Sequence, residues 1–115
     1  MEITVSNFGT SAAKVVLVGT LDIVGADKID MPLAALAGTR RSVVVDMTGV
    51  DFIASIGIRH LVLAAKAIAR GHGKLVILAP TSGVHAVLLS AGVADILPIV
   101  SSEREAQATL GAADV

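Results

Sequence analysis

Ser55 offers the clearest chemistry in this sequence, because of its residue type and its place at the start of a predicted helix. From Ser55 to Arg70 the apolar residues recur at the spacing of one helical face. The first backbone N–H groups of a helix have no partners within it, so a serine hydroxyl there can act as an N-cap. The same groups, together with the helix dipole, favour a phosphate at that position. Ser55 is therefore a candidate N-cap and a candidate phosphorylation site.

Other catalytic chemistry has little support. The chain has no cysteine, and its three histidines lie on different predicted elements without the spacing of metal ligands: His60, His72 and His85. Gly71–Lys74 resembles the end of a phosphate-binding loop, but the earlier glycine is missing and Leu75 stands where Ser or Thr would bind magnesium. The string around Ser55, IASIG, lacks the GxSxG context of a serine hydrolase. We therefore expect no enzyme, no cofactor and no metal site.

Small apolar side chains dominate the composition. The 115 residues have room for one domain, predicted to span 1–115. The apolar fraction is 54% before the glycines are counted, above the roughly 45–50% usual when they are included. A core rich in small residues, a surface that faces a partner, or both would explain it. The net charge is −1 and no basic cluster occurs, which argues against nucleic acid and anionic membranes as partners.

The uncharged run from Leu75 to Ala94 does not predict a membrane span. Pro80, Thr81, Ser82 and Gly83 interrupt it after a short apolar stretch, which fits a buried strand followed by a helix. The N-terminus lacks the basic flank and long apolar core of a signal peptide. The sequence therefore predicts a cytoplasmic protein without direct membrane insertion. We expect a monomer or weak dimer, although no sequence feature determines the oligomeric state.

The elements that must position Ser55 alternate between strand and helix after an opening hairpin. The predicted strands are Glu2–Ser6, Lys14–Val18, Ser42–Val45, Lys74–Leu78 and Ile96–Val100. Helices are expected to end near Gly38, to follow Ser55, to follow Thr81 or Ser82 as N-cap, and to follow a capping box of Ser102 and Glu105. Asp46–Asp51 is predicted as the turn that ends the third strand. Because Pro32 is costly inside a helix, we expect the first helix to begin late, near Asp30.

Strands separated by helices require crossover connections, which make the centre of the sheet parallel. The sequence thus predicts a single α/β domain with a mixed, mainly parallel sheet of about five strands and about four helices. The opening hairpin adds an antiparallel edge. Helices should cover the sheet unevenly, since the hairpin leaves part of one face or rim open.

The stretch from Val43 to Pro80, VVVDMTGVDFIASIGIRHLVLAAKAIARGHGKLVILAP, resembles the STAS domain of bacterial anti-sigma factor antagonists. In that family a strand ending in Asp leads through a turn into a helix. The turn has a characteristic sequence, which is in order a hydrophobic residue, then Asp or Ser, then Ser, a small residue, Gly, and finally Leu or Ile. GTLD at Gly19–Asp22 matches the family's Gly, any residue, Leu or Ile, Asp pattern. PTSGVHAVLLSAGVADILPI is a further match, so the resemblance covers nearly the whole chain.

The resemblance implies a phosphorylation switch. By similarity, Ser55 is phosphorylated by the partner, an anti-sigma factor that is itself a serine kinase. The unphosphorylated antagonist binds that kinase and frees the sigma factor, and a phosphatase acting on phospho-Ser55 resets the system. Phosphate adds roughly −1.5 to −2 charges to an apolar contact surface, so it should break the complex with little backbone change.

The contact surface is predicted around Ser55 and in the two neighbouring loops. Ile53, Ala54, Ile56 and Ile58 are expected to surround the hydroxyl with small or apolar side chains. The residues predicted to contact the partner are Thr20, Leu21, Asp22, Ala54, Ser55, Ile56, Gly57, Ile58, Arg59, Thr81 and Ser82. A second interpretation is that three of these residues cap a helix or a turn: Asp22, Thr81 and Ser82.

The sequence departs from the family pattern beside Ser55. Ala54 stands where many members carry Asp, and Ile56 is bulkier than the usual Ser, Thr or Ala. Loss of that carboxylate removes a hydrogen-bonding or kinase-recognition group, so it bears directly on phosphorylation of Ser55. The alternative function is a STAS-like accessory or interaction subunit of a transporter or stress-sensing complex, in which Ser55 is purely structural.

Overall fold

In a computed structural model of the chain, which describes residues 1–39 and 41–111, five strands and four helices are formed. The strands are β1 (Glu2–Phe8), β2 (Ala12–Leu21), β3 (Val43–Ile53), β4 (Leu75–Leu78) and β5 (Ile99–Val100). The helices are α1 (Ile23–Gly38), α2 (Ser55–Arg70), α3 (Ser82–Ser90) and α4 (Glu103–Leu110). Of the predicted domain, position 40 and positions 112–115 lie outside the described residues.

The strands form one sheet in the order of the chain, β1-β2-β3-β4-β5. β1 and β2 pair antiparallel, and the other three pairs are parallel, which confirms the predicted fold class. The three helices that connect the parallel strands share one core with Leu17, Val45 and Ile77 of the sheet. α4 packs on the opposite face through Ala106 and Leu110. Right-handed crossovers between strands added in one direction explain this division.

β3 is longer than predicted, and the expected turn over Asp46–Asp51 is wrong. Between Val16 and Thr20 of β2 the register with β3 shifts twice, and β3 carries one extra residue at each shift. These bulges let the strand continue although its polar residues break strict alternation. The buried side chains Met47, Val50 and Ile53 consequently recur at every third position.

α1 begins at Ile23, so the predicted late start near Asp30 is wrong. Asp22 is the N-cap, and its carboxylate accepts a hydrogen bond of 2.9 Å from the Gly25 N–H. Pro32 lies inside the helix, where it removes one backbone hydrogen bond. The helix survives because Ile29, Leu33 and its other buried residues pack against the sheet and α2. Tertiary packing here outweighs the local cost of proline.

The C-terminal helix is fixed by the predicted cap and by an ion pair with β2. The Ser102 hydroxyl accepts from the Glu105 N–H at 3.1 Å, which confirms the cap, while the Glu105 carboxylate accepts from the Ser101 N–H at 2.8 Å. Lys14 of β2 donates to Glu103 at 2.8 Å and lies 3.7 Å from Asp46. These contacts hold α4 over one part of its face of the sheet.

Elsewhere on that face Thr4, Ser6 and Val18 are exposed, as the uneven helix cover predicts. β5 is shorter than predicted, because Leu97 turns into the core with its N–H bonded to the Val93 carbonyl at 2.7 Å. Within residues 1–39 and 41–111, no helix has the length and apolar character needed to cross a membrane.

Candidate functional site

The candidate site lies at the edge of the sheet where β2 and β3 end. Leu21 and Ile53 are register partners in adjacent parallel strands, so the residues that follow them lie side by side. The Ala54 N–H donates to the Leu21 carbonyl at 2.9 Å and ties the two connections together. This brings Asp22, at the start of α1, beside Ala54 and Ser55, at the start of α2.

The start of α3 reaches the same edge, as predicted from strand order. A groove of about 190 Å³ is lined on one side by the end of β3 and on the other by the first two turns of α3: Asp51, Phe52, Ile53, Gly83, Val84 and Val87. Thr81 is the N-cap of α3, and its hydroxyl accepts from the Val84 N–H at 3.4 Å. Thr81 and Ser82 are both exposed beside this groove.

Ser55 is exposed and is the first residue of α2. The N-cap is Ala54, so the prediction that Ser55 caps the helix is wrong. The Ala54 carbonyl accepts from the N–H groups of Gly57 and Ile58 at 2.9 and 3.2 Å. Among the described residues, no side chain caps α2 and no partner bonds the Ser55 hydroxyl. The hydroxyl is therefore free for modification, at a helix end whose first N–H groups still lack a side-chain acceptor.

Gly57 determines how closely the first turn of α2, which carries Ser55, approaches the end of β2. A Cβ atom on Gly57 would lie 2.8 Å from the Leu21 carbonyl oxygen and 3.1 Å from the Leu21 Cβ. Distances this short require the backbone or a packed side chain to move. The first turn of α2 can therefore approach the end of β2 only because residue 57 is glycine.

Three of the predicted contact residues are buried, which corrects their assignment to the partner-binding surface. Leu21 is 0% exposed and Ile58 is 9% exposed, because both side chains point into the core between the sheet and α2. Gly57 is buried against Leu21. These residues support the surface from beneath and do not present side chains on it.

The predicted apolar surround of Ser55 also has different members. Ile53 joins Ile58 in the core, and Ala54 and Ile56 are half-buried. The most exposed apolar side chains at this edge are Ile23, Val24 and Phe52, at 75%, 61% and 54%. We call these three residues the apolar rim. Sequence reasoning missed them, since only the bulges in β3 and the early start of α1 determine their exposure.

The polar residues predicted around Ser55 are accessible, and several hold local structure. Thr20 donates to Asp51 at 2.9 Å across the ends of β2 and β3. Asp22 caps α1 and is exposed, so the capping role is confirmed while partner contact stays a prediction. Arg59 is exposed one helical turn after Ser55, which places a cation on the same side of α2.

Among the described residues, no histidine lines the groove between the end of β3 and α3. His60 on α2 is 2.5 Å from the Asp30 carboxylate on α1, through its Nδ1 atom. His85 lines a separate groove with Glu105. Within the described ranges, no group of three His, Asp or Glu side chains is arranged to hold a metal ion.

Comparisons with known proteins agree with this architecture. The family model of the STAS domain matches residues 5–106. A Bordetella bronchiseptica protein provisionally named anti-sigma factor antagonist BtrV is 33% identical over 94 residues, covering 80% of each chain.

Solved structures of low sequence identity share the fold. An anti-sigma factor antagonist from Mycobacterium paratuberculosis superposes with a TM-score of 0.84 at 17% identity, covering 95% of this chain and 92% of its own. The Bacillus anti-sigma factor antagonist SpoIIAA has been solved in two forms. The unphosphorylated form gives a TM-score of 0.70 at 14% identity, covering 91% of this chain and 94% of its own. The phosphorylated form gives 0.71 at 13%, covering 94% and 99%.

Proposed function

The chain belongs to the STAS family, and on that premise we propose that it is an anti-sigma factor antagonist switched by phosphorylation of Ser55. Members of this family are regulatory binding proteins and not enzymes. In the proposal, the whole chain is one STAS domain that binds an anti-sigma factor with serine kinase activity and frees a sigma factor. The kinase phosphorylates Ser55, which ends the binding, and a phosphatase restores it. Since sigma factors act on RNA polymerase, the proposal places the chain in the cytoplasm.

The free hydroxyl of Ser55 is the observation that carries this proposal. A serine kept for structure at the start of a helix would accept a hydrogen bond from the first turn. In the described part of the chain Ser55 is exposed, makes no such bond and leaves the cap position to Ala54. This supports a role in modification over the purely structural Ser55 of a transporter or stress-complex accessory.

The surroundings of Ser55 are suited to an interface that phosphate disrupts. The apolar rim offers side chains that a partner can cover, and Thr81 and Ser82 extend the surface across the groove. A phosphate would add about −1.5 to −2 charges there, on an edge that already carries Asp22 and Asp51. Burying that charge against an apolar partner is costly, so we expect dissociation.

The fold itself should tolerate the phosphate. The first N–H groups of α2 point toward that position, and Arg59 lies one turn further along the helix. Both favour the added negative charge locally. SpoIIAA has the fold of this chain in both its phosphorylated and its unphosphorylated form, with TM-scores of 0.71 and 0.70. This similarity supports a switch that works by charge at the interface and not by refolding.

The first test is phosphorylation by the anti-sigma kinase that co-purifies with the chain from its source cell. After incubation with ATP, intact mass should rise by one phosphate, and peptide mapping should place it on Ser55. The Ser55→Ala variant should remain unmodified. A phosphate on another residue, or none on Ser55, would contradict the switch and favour the accessory function.

The second test measures binding of the same kinase to variants. Ser55→Asp should weaken binding at least about tenfold, because it puts a carboxylate where the partner covers apolar surface. Ser11→Asp is the matched control, since it adds the same charge on an exposed residue of the turn between β1 and β2, at the opposite end of the sheet from Ser55. Equal affinities of Ser55→Asp and wild type would reject the proposal. Equal losses in both variants would show general charge repulsion without a specific role for Ser55.

A further inference from the structure

β1 is a long outer strand of the sheet, and its outer edge has no partner among the described residues. It lies at the opposite side of the sheet from β5, whose two residues are too few to pair extensively. We propose that a second copy of this chain adds to β1 in antiparallel pairing, about a two-fold axis at Val5. The interface would join two five-stranded sheets into one continuous sheet.

The backbone hydrogen bonds of β2 show which residues of β1 direct their N–H and C=O groups away from the sheet. The Ala13 N–H donates to the Ser42 carbonyl at 2.9 Å, so the backbone groups of Ala13 point toward β3. Because these directions alternate along a strand, the groups of Lys14 and Val16 point toward β1. Their register partners are Ser6 and Thr4. By the same alternation Glu2 and Phe8 also bond toward β2, while Ile3, Val5 and Asn7 present their N–H and C=O groups to the open edge.

β1 lacks the usual protection of an exposed edge. Proteins commonly guard such strands with proline, lysine or a bulge. The strand EITVSNF contains no proline or lysine, and its register with β2 is unbroken from Glu2 to Phe8. Its only charged side chain is Glu2, at one end. Val5 in the middle is 47% exposed.

The strand is complementary to itself in antiparallel orientation. A two-fold axis at Val5 places Val5 opposite Val5 as a hydrogen-bonded pair, with Ile3 opposite Asn7 on either side. Glu2 then lies opposite Phe8, so no like charges meet. The side chain of Asn7 is already bonded to Arg41 at 3.0 Å, which leaves its outward backbone groups available. The exposed Val5 side chain would be covered by its symmetry mate.

This pairing does not cover the ends of β2 and β3, where Ser55 lies. An antiparallel two-fold axis reverses the strand directions, so the two Ser55 residues lie at opposite ends of the combined sheet. Dimerisation can therefore be tested without the kinase, and its outcome is independent of the proposed switch. A single strand pair buries little surface, so we expect a weak, concentration-dependent dimer.

The test is sedimentation velocity on the full chain over a range of concentrations, with two substitutions at Val5. Wild type should shift from monomer to dimer as concentration rises. Val5→Pro removes the outward N–H and should weaken dimerisation at least about tenfold. Val5→Thr keeps that N–H and nearly the same shape, so its dimer should remain within about fivefold of wild type. Circular dichroism would verify that both variants fold.

Amide hydrogen exchange on the wild-type chain gives a second readout that needs no variant. With rising concentration, exchange should slow at Ile3, Val5 and Asn7, while Thr4 and Ser6, already bonded to β2, should change little. A chain that stays monomeric up to its solubility limit would overturn the proposal. A dimer unaffected by Val5→Pro would also overturn it, because association would then use another surface.

Discussion

Ala54 and Gly57 determine how Ser55 is presented, although neither carries a reactive group. Ala54 has the extended backbone of an N-cap, with φ −90° and ψ 165°, but no side chain that can accept a hydrogen bond. Gly57 allows α2 to approach Leu21 closely. Between them they leave Ser55 exposed on the first turn of a firmly seated helix.

At Ala54 the structure predicts a gain of stability on substitution by aspartate. Ala54→Asp supplies the missing cap and a negative charge at the positive end of the helix dipole, so unfolding should cost about 1 kcal/mol more. Urea denaturation followed by circular dichroism measures this. Ala54→Asn is the control that caps without charge and should recover most of the gain. If both variants match wild type, the first turn of α2 does not need a cap.

At Gly57 the structure predicts a loss of stability on substitution by alanine. Alanine ordinarily stabilises a helix relative to glycine by about 1 kcal/mol. Here the added Cβ would lie 2.8 Å from the Leu21 carbonyl oxygen, so Gly57→Ala should destabilise the fold by about 1–3 kcal/mol. Gly83→Ala is the matched control on α3, where the Cβ would have no neighbour within 4 Å, and it should be neutral or stabilising. Chemical denaturation of both variants checks the opposite signs.

For individual residues, the sequence was informative about the position of Ser55 and less so about the exposure of its neighbours. The change to helical periodicity from Ser55 onward located Ser55 at the entrance of α2 within one position. Periodicity does not reveal which of Phe52 and Ile53 faces the solvent, because two bulges in β3 reset the alternation. For the same reason the apolar rim could not be predicted.

Among the elements, α1 and β3 differ most from the prediction, and both differences come from tertiary contacts. Local rules make Pro32 a helix breaker and Asp46–Asp51 a turn. In the fold, buried residues on both sides of Pro32 hold α1 on the sheet. The Asp46 carboxylate accepts from the Thr48 N–H at 3.0 Å within β3, which bonds the polar residues while the strand continues. Neither the packing around Pro32 nor the hydrogen bond of Asp46 can be inferred from the local sequence.

α4 depends on a contact with β2 that should give stability a dependence on alkaline pH. The hydrogen bond to Glu103 raises the pKa of Lys14 above its usual 10.5, against a smaller opposing effect of burial. Between neutral pH and pH 10.5 the stabilisation is therefore complete, and it is lost as the pH rises through the higher pKa of Lys14 in the folded state. Since the pair is partly exposed, we expect at most about 1 kcal/mol.

Lys14→Met tests this dependence. The difference in unfolding free energy between wild type and variant should be constant between neutral pH and pH 10.5 and should shrink above it. Lys66→Met, which removes an exposed lysine on α2, is the control. A difference that does not change with alkaline pH would show that the Lys14 ammonium does not stabilise α4.

For the whole molecule, alternation of strands and helices was enough to predict the α/β class, the parallel centre and the antiparallel hairpin at the edge. The prediction succeeded because crossover connections allow few arrangements. The alternation of elements did not predict the second core under α4, because Phe8, Ala12 and Val100 come from distant parts of the chain. Periodicity reports which face of an element is apolar, but not which distant element covers it.

The order of the strands in the sheet also bears on how the protein is made. Each strand pairs only with its neighbours in sequence, so a nascent chain leaving the ribosome can extend the sheet strand by strand. The exception is α4, which contacts β2 through Glu103 and Lys14 across 89 positions. Until α4 has been synthesised, the side chains of the sheet that it covers are exposed, which favours aggregation of the partly folded chain.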